Sequence, residues 1–160
     1  MSDPVANFAT PRVAAGALFV QAGEVLLVRK TYGYRWDIPG GYVDRSESPA
    51  AACERELREE LGIERAPTRV LVHDWAPNDA EGDKLLYVFD CGSLGTDQDK
   101  IVLQESELDR WEWAPIDRID DYVVPRLARR LRHAYRAHEF GETVYLEHGE
   151  APLHVHQPTR

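Results

Sequence analysis

Two β-rich apolar runs, Arg12 to Val20 and Glu24 to Arg29, flank Ala22-Gly23, and together they predict a β-hairpin. From Pro49 to Leu61 the period changes: Ala50, Cys53, Leu57 and Leu61 recur at three- or four-residue spacing, the apolar stripe of an amphipathic helix. Ser48 suits the N-cap, Pro49 the first helical position and Gly62 the C-terminal stop. Thr68 to Trp75 and Lys84 to Cys91 read as strands, the second apolar enough to lie at the centre of a sheet. Between them runs a polar, turn-rich loop over 76–83, and a second loop covers 92–99. Leu103 to Pro115 carries an acidic segment followed by two tryptophans. A further stripe, Val124, Leu127, Leu131 and Tyr135, predicts a helix from Val124 to His138 whose arginines form a solvated face, and Glu142 to Glu147 reads as an edge strand. Strand-strand-helix followed by three strands and a helix predicts an α/β fold with a mixed sheet.

The 160 residues suffice for one domain with a full core, with 1–11 and 150–160 as loose ends. A net charge of −9 argues against a general nucleic-acid-binding surface, although a bound cation would reverse the local sign at a phosphate site. Two cysteines are too few for a disulfide scaffold. No basic segment leads into an apolar run at the N-terminus, and no run is long enough to span a membrane, so a cytoplasmic location is expected. His154 and His156 lie in a Pro-flanked tail with no local partners to complete a zinc site.

The chemistry concentrates on the first helix. Glu56, Glu59 and Glu60 fall at i, i+3 and i+4, so three like charges project from one face at a mutual cost. A solvated acidic helix would tolerate this. A hard divalent cation, Mg²⁺ or Mn²⁺, gives a reason for it, since such ions take carboxylate oxygens and keep waters for substrate. Arg55 is placed to pair with Glu47 and fix the preceding loop against the helix.

From Gly41 through Glu47 to Arg55-Glu56-Leu57-Arg58-Glu59-Glu60-Leu61-Gly62-Ile63, the chain resembles the Nudix box, G-x5-E-x7-R-E-U-x-E-E-x-G-U, at every defined position. Trp36 to Gly41 resembles the W-x-x-P-G-G lead-in of that family, and Leu103 to Pro115 resembles its late stretch, which implies an acidic segment before a Trp-containing strand and a short helix beginning within Ile116 to Asp121. The resemblance implies a Nudix α/β/α sandwich with a mixed central β-sheet, and hydrolysis of a diphosphate linkage in a nucleoside diphosphate-X compound. It also implies Mg²⁺ or Mn²⁺ held by Glu56, Glu59, Glu60 and the backbone at Gly40 and Gly41. Glu47 and Arg55 would support the site, and Arg29 would meet substrate phosphate. The general base would be a box glutamate, Glu59 or Glu60, or a downstream one, with Glu105 ahead of Glu107. Trp36 is expected in the core.

Substrate signatures are weaker. Pro77 stands one residue from the place where ADP-ribose hydrolases of the family tend to carry a proline. The tyrosine of dinucleoside polyphosphate hydrolases is absent, Ala80 and Glu81 occupying that region, and the coenzyme A signature is not matched. The expected substrate is ADP-ribose-like or a nucleoside triphosphate, ordinary or oxidised. The alternatives are a non-catalytic nucleotide sensor and an isoprenoid diphosphate isomerase, for which Cys53 lies on the wrong, apolar side of the helix. A small-molecule nucleotide is the expected partner, without nucleic acid or membrane, and the resemblance leaves room for a homodimer.

Overall fold

The computed structural model describes residues 5–152. Strand β1 (Arg12–Leu18) gives way at Phe19 to a short β2 (Val20–Gln21), followed by β3 (Glu24–Lys30), β4 (Trp36–Asp37) and β5 (Gly40–Tyr42). Helix α1 (Pro49–Leu61) comes next, then β6 (Arg69–Trp75), β7 (Lys84–Asp90) and β8 (Leu108–Pro115). Helix α2 (Pro125–Phe140) and β9 (Val144–Glu147) complete the described fold. Short 3₁₀ turns occupy 95–100 and 116–121, the second of these where a helix start is expected.

One sheet runs in the order β5-β1-β7-β6-β9. β1 and β7 are parallel, as are β6 and β9, and the remaining pairs are antiparallel, so the sheet is mixed with β7 near its centre. The second sheet is built on β3, which pairs with β2, β4 and, over most of its length, β8.

The expected hairpin is therefore narrower than its two runs suggest. Ala22 and Gly23 do form the turn, both at positive φ, but they join β2 to β3. β1 belongs to the other sheet. The chain changes sheets at Phe19, which is fully buried and whose carbonyl accepts the Leu26 N–H at 3.2 Å.

The two helices cover opposite cores. Val25 and Leu27 of β3 point into the core capped by α2, with Leu127, Leu131 and Ala134, while Leu26 and Val28 point into the core capped by α1, with Cys53, Leu57 and Leu61. A strand covered on both faces has no reason to alternate apolar with polar, which explains the unbroken Val-Leu-Leu-Val run. This is the expected α/β/α sandwich. At α1 the Ser48 hydroxyl accepts the Ala51 N–H, and Gly62, at φ 66°, returns its own N–H to the Arg58 carbonyl.

Helix α2 departs from expectation at two positions. Val124, assigned to the apolar stripe, is the exposed N-cap. Arg130, assigned to a solvated face, is buried, with Nε 2.5 Å from Oδ2 of Asp74, itself inaccessible to solvent. The other Asp74 oxygen accepts the Gly149 N–H at 3.1 Å. Glu150 is likewise not loose, since it exchanges backbone hydrogen bonds with Glu147. His154 and His156 lie outside the described residues.

Removing one member of the Asp74–Arg130 pair would leave the other charge buried without its partner. Arg130→Ala is expected to cost about 3–5 kcal/mol in urea unfolding. The apolar double replacement Asp74→Leu/Arg130→Met is expected to cost much less than either single change, and equal losses for single and double variants would contradict this.

Candidate functional site

The site begins at the glycine pair. At Gly40 (φ 146°) a Cβ would stand 2.2 Å from the Ala15 carbonyl oxygen, and at Gly41 it would stand 2.4 Å from Glu56 Oε1. Only glycines let β5 pass this close to both β1 and α1. The chain then loops from Val43 to Ser48 into the helix.

Arg55 fastens that loop. Its Nε donates to Glu47 Oε2 at 2.8 Å and its Nη2 to Glu47 Oε1 at 2.9 Å and to the Tyr42 carbonyl at 3.1 Å. Its Nη1 lies between Glu56 Oε1, at 3.0 Å, and Glu59 Oε2, at 3.2 Å. Hydrogen bonds from Arg55 hold the Glu47 pKa down to about 2, helped by the Asp44 N–H, and Glu47 in turn raises that of Arg55. One planar guanidinium thus bridges the loop acid and two of the three helix carboxylates, as its fork geometry permits.

Glu60 turns inward and is 1% exposed. Oε2 accepts the Gly40 N–H at 3.1 Å, and Oε1 lies 3.6 Å from Lys30 Nζ. Burial pushes its pKa up to about 7 against the pull of Lys30. Burial also raises Glu56, opposed by Arg55 and reinforced by the charges of Glu59 and Glu107. For Lys30, burial works against the ammonium, yet Glu60, Asp37 and Glu107 together hold its pKa above the ordinary value.

The sequence-derived candidates separate. Gly40, Gly41, Glu47, Arg55, Glu56, Glu59 and Glu60 come together. Glu107 sits on an exposed turn tied to the end of β3 by the Thr31 N–H to its carbonyl at 2.8 Å, and its charge is felt at Glu56 and at Lys30. Glu105, placed ahead of it by sequence, is exposed on the same turn.

Arg29, expected to meet substrate phosphate, has a partner within the protein. Its guanidinium forms a two-pronged pair with Asp109, both contacts 2.8 Å, and lies over the rings of Tyr34 and Trp36. The β3 cation beside Glu60 is Lys30. The two-residue period of a strand carries the signal for this, because neighbours point to opposite faces and Leu26 and Val28 already face α1. Trp36 packs at the edge of the α2 core, as expected. Cys53 is buried and meets Cys91, whose thiol it raises, so it presents no acid or base to the site.

The donors fit a hard divalent cation. All are oxygens, two of the carboxyl groups are raised chiefly by burial, and Gly41 keeps the space against Glu56 clear. Among the described residues no His, Cys, Asp and Glu side chains converge as a ready-made cage. The Arg55 guanidinium lies between Glu56 and Glu59. Among the described residues no helix is long and apolar enough to cross a membrane.

A family model for the NUDIX domain matches residues 10–137. An RNA pyrophosphohydrolase of Acidiphilium cryptum is 32% identical over 128 residues, covering 68% of this chain and 77% of the relative. A putative ADP-ribose pyrophosphatase of Bacillus subtilis is 31% identical over 65 residues, 41% of this chain and 31% of that protein. The crystal structure of a MutT protein from Methanosarcina mazei superposes with a TM-score of 0.67 at 24% identity, covering 86% of this chain and all of that one.

The raised Glu60 carboxyl has a thermodynamic consequence. Its folded-state pKa, about 7, exceeds the ordinary 4.5, so between those values the folded protein holds a proton that the unfolded chain releases. Stability of the metal-free protein therefore falls as pH rises from about 4.5 to about 7. Urea unfolding in a chelator should show a loss on the order of 2–3 kcal/mol across that window, absent in Glu60→Gln. Parallel pH profiles for the two proteins would contradict the assignment.

Proposed function

This chain belongs to the Nudix family and is a pyrophosphohydrolase, and on that premise we propose that it hydrolyses the diphosphate linkage of a nucleoside diphosphate-X compound with Mg²⁺ or Mn²⁺. The observation that carries the reading is Glu56 against Gly41 and buried Glu60 on the Gly40 N–H, with Lys30 3.6 Å from Glu60 and Glu59 joined to Glu56 through Arg55. Three helix carboxylates against one lysine and an arginine already shared with Glu47 suit a polyphosphate bound together with cations better than they suit a bare anion or a neutral ligand.

Glu56, Glu59 and Glu60, with the backbone at Gly40 and Gly41, would hold the cation. A divalent ion bound there supplies charge neutralisation at the phosphate oxygens and favours ionisation of a nearby water. Lys30 takes the phosphate-binding role first assigned to Arg29, because its ammonium faces the trio and Arg29 is committed to Asp109. Glu107 is the favoured general base: it is exposed to solvent, its charge reaches Glu56, and its turn is fixed to β3. In that role its carboxylate takes the proton of the attacking water while the water oxygen bonds to phosphorus and the bridging oxygen departs with the leaving phosphate. Arg55 and Glu47 position the helix and loop and do not touch the reacting atoms.

The substrate is a nucleotide whose second moiety the carboxylate trio does not read. The relatives named RNA pyrophosphohydrolase and ADP-ribose pyrophosphatase put two kinds of second moiety in view. The net charge of −9 disfavours a broad nucleic-acid surface, but the 5′ end of one strand requires only a local patch. Chromatographic product analysis settles the class. The panel comprises ADP-ribose, ordinary and oxidised nucleoside triphosphates and a 5′-triphosphorylated RNA, each with Mg²⁺ or Mn²⁺. Cleavage of at least one is expected; silence across the panel with metal binding intact would overturn the reading.

Glu60→Gln should abolish detectable turnover while far-ultraviolet circular dichroism stays unchanged. Glu107→Gln is expected to lower kcat by about 10²–10⁴ with metal affinity retained, and Glu105→Gln to stay within a fewfold of wild type. The reverse order would return the base to Glu105. Lys30→Met should raise KM at least tenfold, and Arg29→Met should act mainly on stability.

A further inference from the structure

Strand β8 is the longest in the described fold, and it pairs with β3 alone. Which of its backbone groups face outward follows from β3. The Lys30 N–H turns to the Arg35 carbonyl and the Leu26 N–H to the Phe19 carbonyl, both away from β8. Arg29, Leu27 and Val25 alternate with these and turn toward β8, where Arg110, Glu112 and Ala114 stand opposite them. The same alternation continues where the Ile116 N–H meets the Gly23 carbonyl. Trp111 and Trp113 therefore point their N–H and C=O groups away from β3, and no backbone partner meets them among the described residues. A row of this kind is a template for another strand.

The side chains along this edge are ordered by sign. On the face toward α2, Arg110 stands directly opposite Arg29, a like charge whose guanidinium is already held by Asp109. Arg110 is exposed and makes no ion pair among the described residues. Glu112 follows two residues later on the same face, accepts the Tyr122 hydroxyl, and likewise makes no ion pair among the described residues. On the other face the partly buried rings of Trp111 and Trp113 pack against the α1 core.

We propose that β8 pairs antiparallel with β8 of a second copy of this chain, about a two-fold axis at Trp111, so that the β3 sheet runs on through both copies. The pleat admits only registers that set outward groups against outward groups. A two-fold axis at Arg110 would place that arginine against its own copy, and an axis at Glu112 would do the same with two carboxylates. An axis at Trp111 instead sets each Arg110 against the partner subunit's Glu112, twice over, with the Trp111 backbones exchanging hydrogen bonds. Opposite charges directly across two strands stabilise the pair and like charges oppose it, so sign alone selects this register. Charges that served only to keep the edge solvated would need no such order. A second copy is thus the occupant whose charge pattern matches the edge.

Sedimentation velocity of the full chain between about 1 and 200 µM tests this. Wild type should pass from monomer to dimer across that range, with the dimer weakened by added salt. Arg110→Glu and Glu112→Arg should each raise the dimer dissociation constant by about tenfold or more, because each turns both attractive crossings into repulsive ones. Mixed in equal amounts, the two variants should form a heterodimer with an affinity near that of wild type. The double variant Arg110→Glu/Glu112→Arg should likewise pair with itself. Both arrangements restore opposite signs at the two crossings, and far-ultraviolet circular dichroism checks that each variant is folded.

A wild-type chain that stays monomeric throughout overturns the proposal, and leaves the edge solvated or open to a different chain. A dimer indifferent to both charge reversals overturns it too, since the contact then lies on another face. Folded single variants that fail to associate, with no recovery in the mixture or in the double variant, rule out the pairing of Arg110 with Glu112.

Discussion

Everything at the site depends on the desolvation of Glu60. The fold places this carboxylate under β5, gives it one backbone N–H and a lysine 3.6 Å away, and stops short of a full counter-charge. A group so held is raised toward neutrality, and in the proposed site it would offer a divalent cation a ligand whose burial has not yet been offset. The glycine pair is the steric condition for this. Gly40 lets its N–H approach Glu60, and Gly41 leaves Glu56 the space that a Cβ would take. A side chain at either position would separate β5 from its neighbours and expose the carboxylates that the strand now covers.

Arg55 is the second constraint, and it acts on geometry more than on charge. Bonded to Glu47, Glu56, Glu59 and the Tyr42 carbonyl, it fixes the distance between the loop after β5 and the helix. It also bridges two of the three helix carboxylates. The same residue also meets Asp44, at 3.6 Å, so one guanidinium serves four carboxylates. Loop and helix are thus joined by one guanidinium, while Glu81 gathers Arg12, Tyr42, Asn78 and Lys84 on the far side of β5.

Far from the site, the buried Asp74–Arg130 pair joins α2 to β6 and, through Gly149, to the chain beyond β9. Such a pair contributes less to net stability than its geometry suggests, because both groups leave water. Its use here is one of register, since α2 can dock on the sheet with Arg130 inward only where Asp74 receives it.

Local sequence determined the elements and most of the site. The cap, stripe and stop of α1 lie within a few residues of one another, and so does the spacing that lines up Glu56, Glu59 and Glu60, because a helix converts short intervals directly into a shared face. The doubled glycine before the box and the apolar run of β7 were legible for the same reason. What the sequence left open depends on contacts between distant segments. Arg29 and Lys30 are adjacent and alike in charge, and only Asp109, brought alongside by the β3–β8 pairing, decides which of them faces the trio. Glu105 and Glu107 differ only in which side of a turn approaches α1. Arg130 looks like its arginine neighbours until β6 supplies Asp74. In each case the deciding term is the partner's position across the fold, and that exists only once the two sheets and two helices have packed.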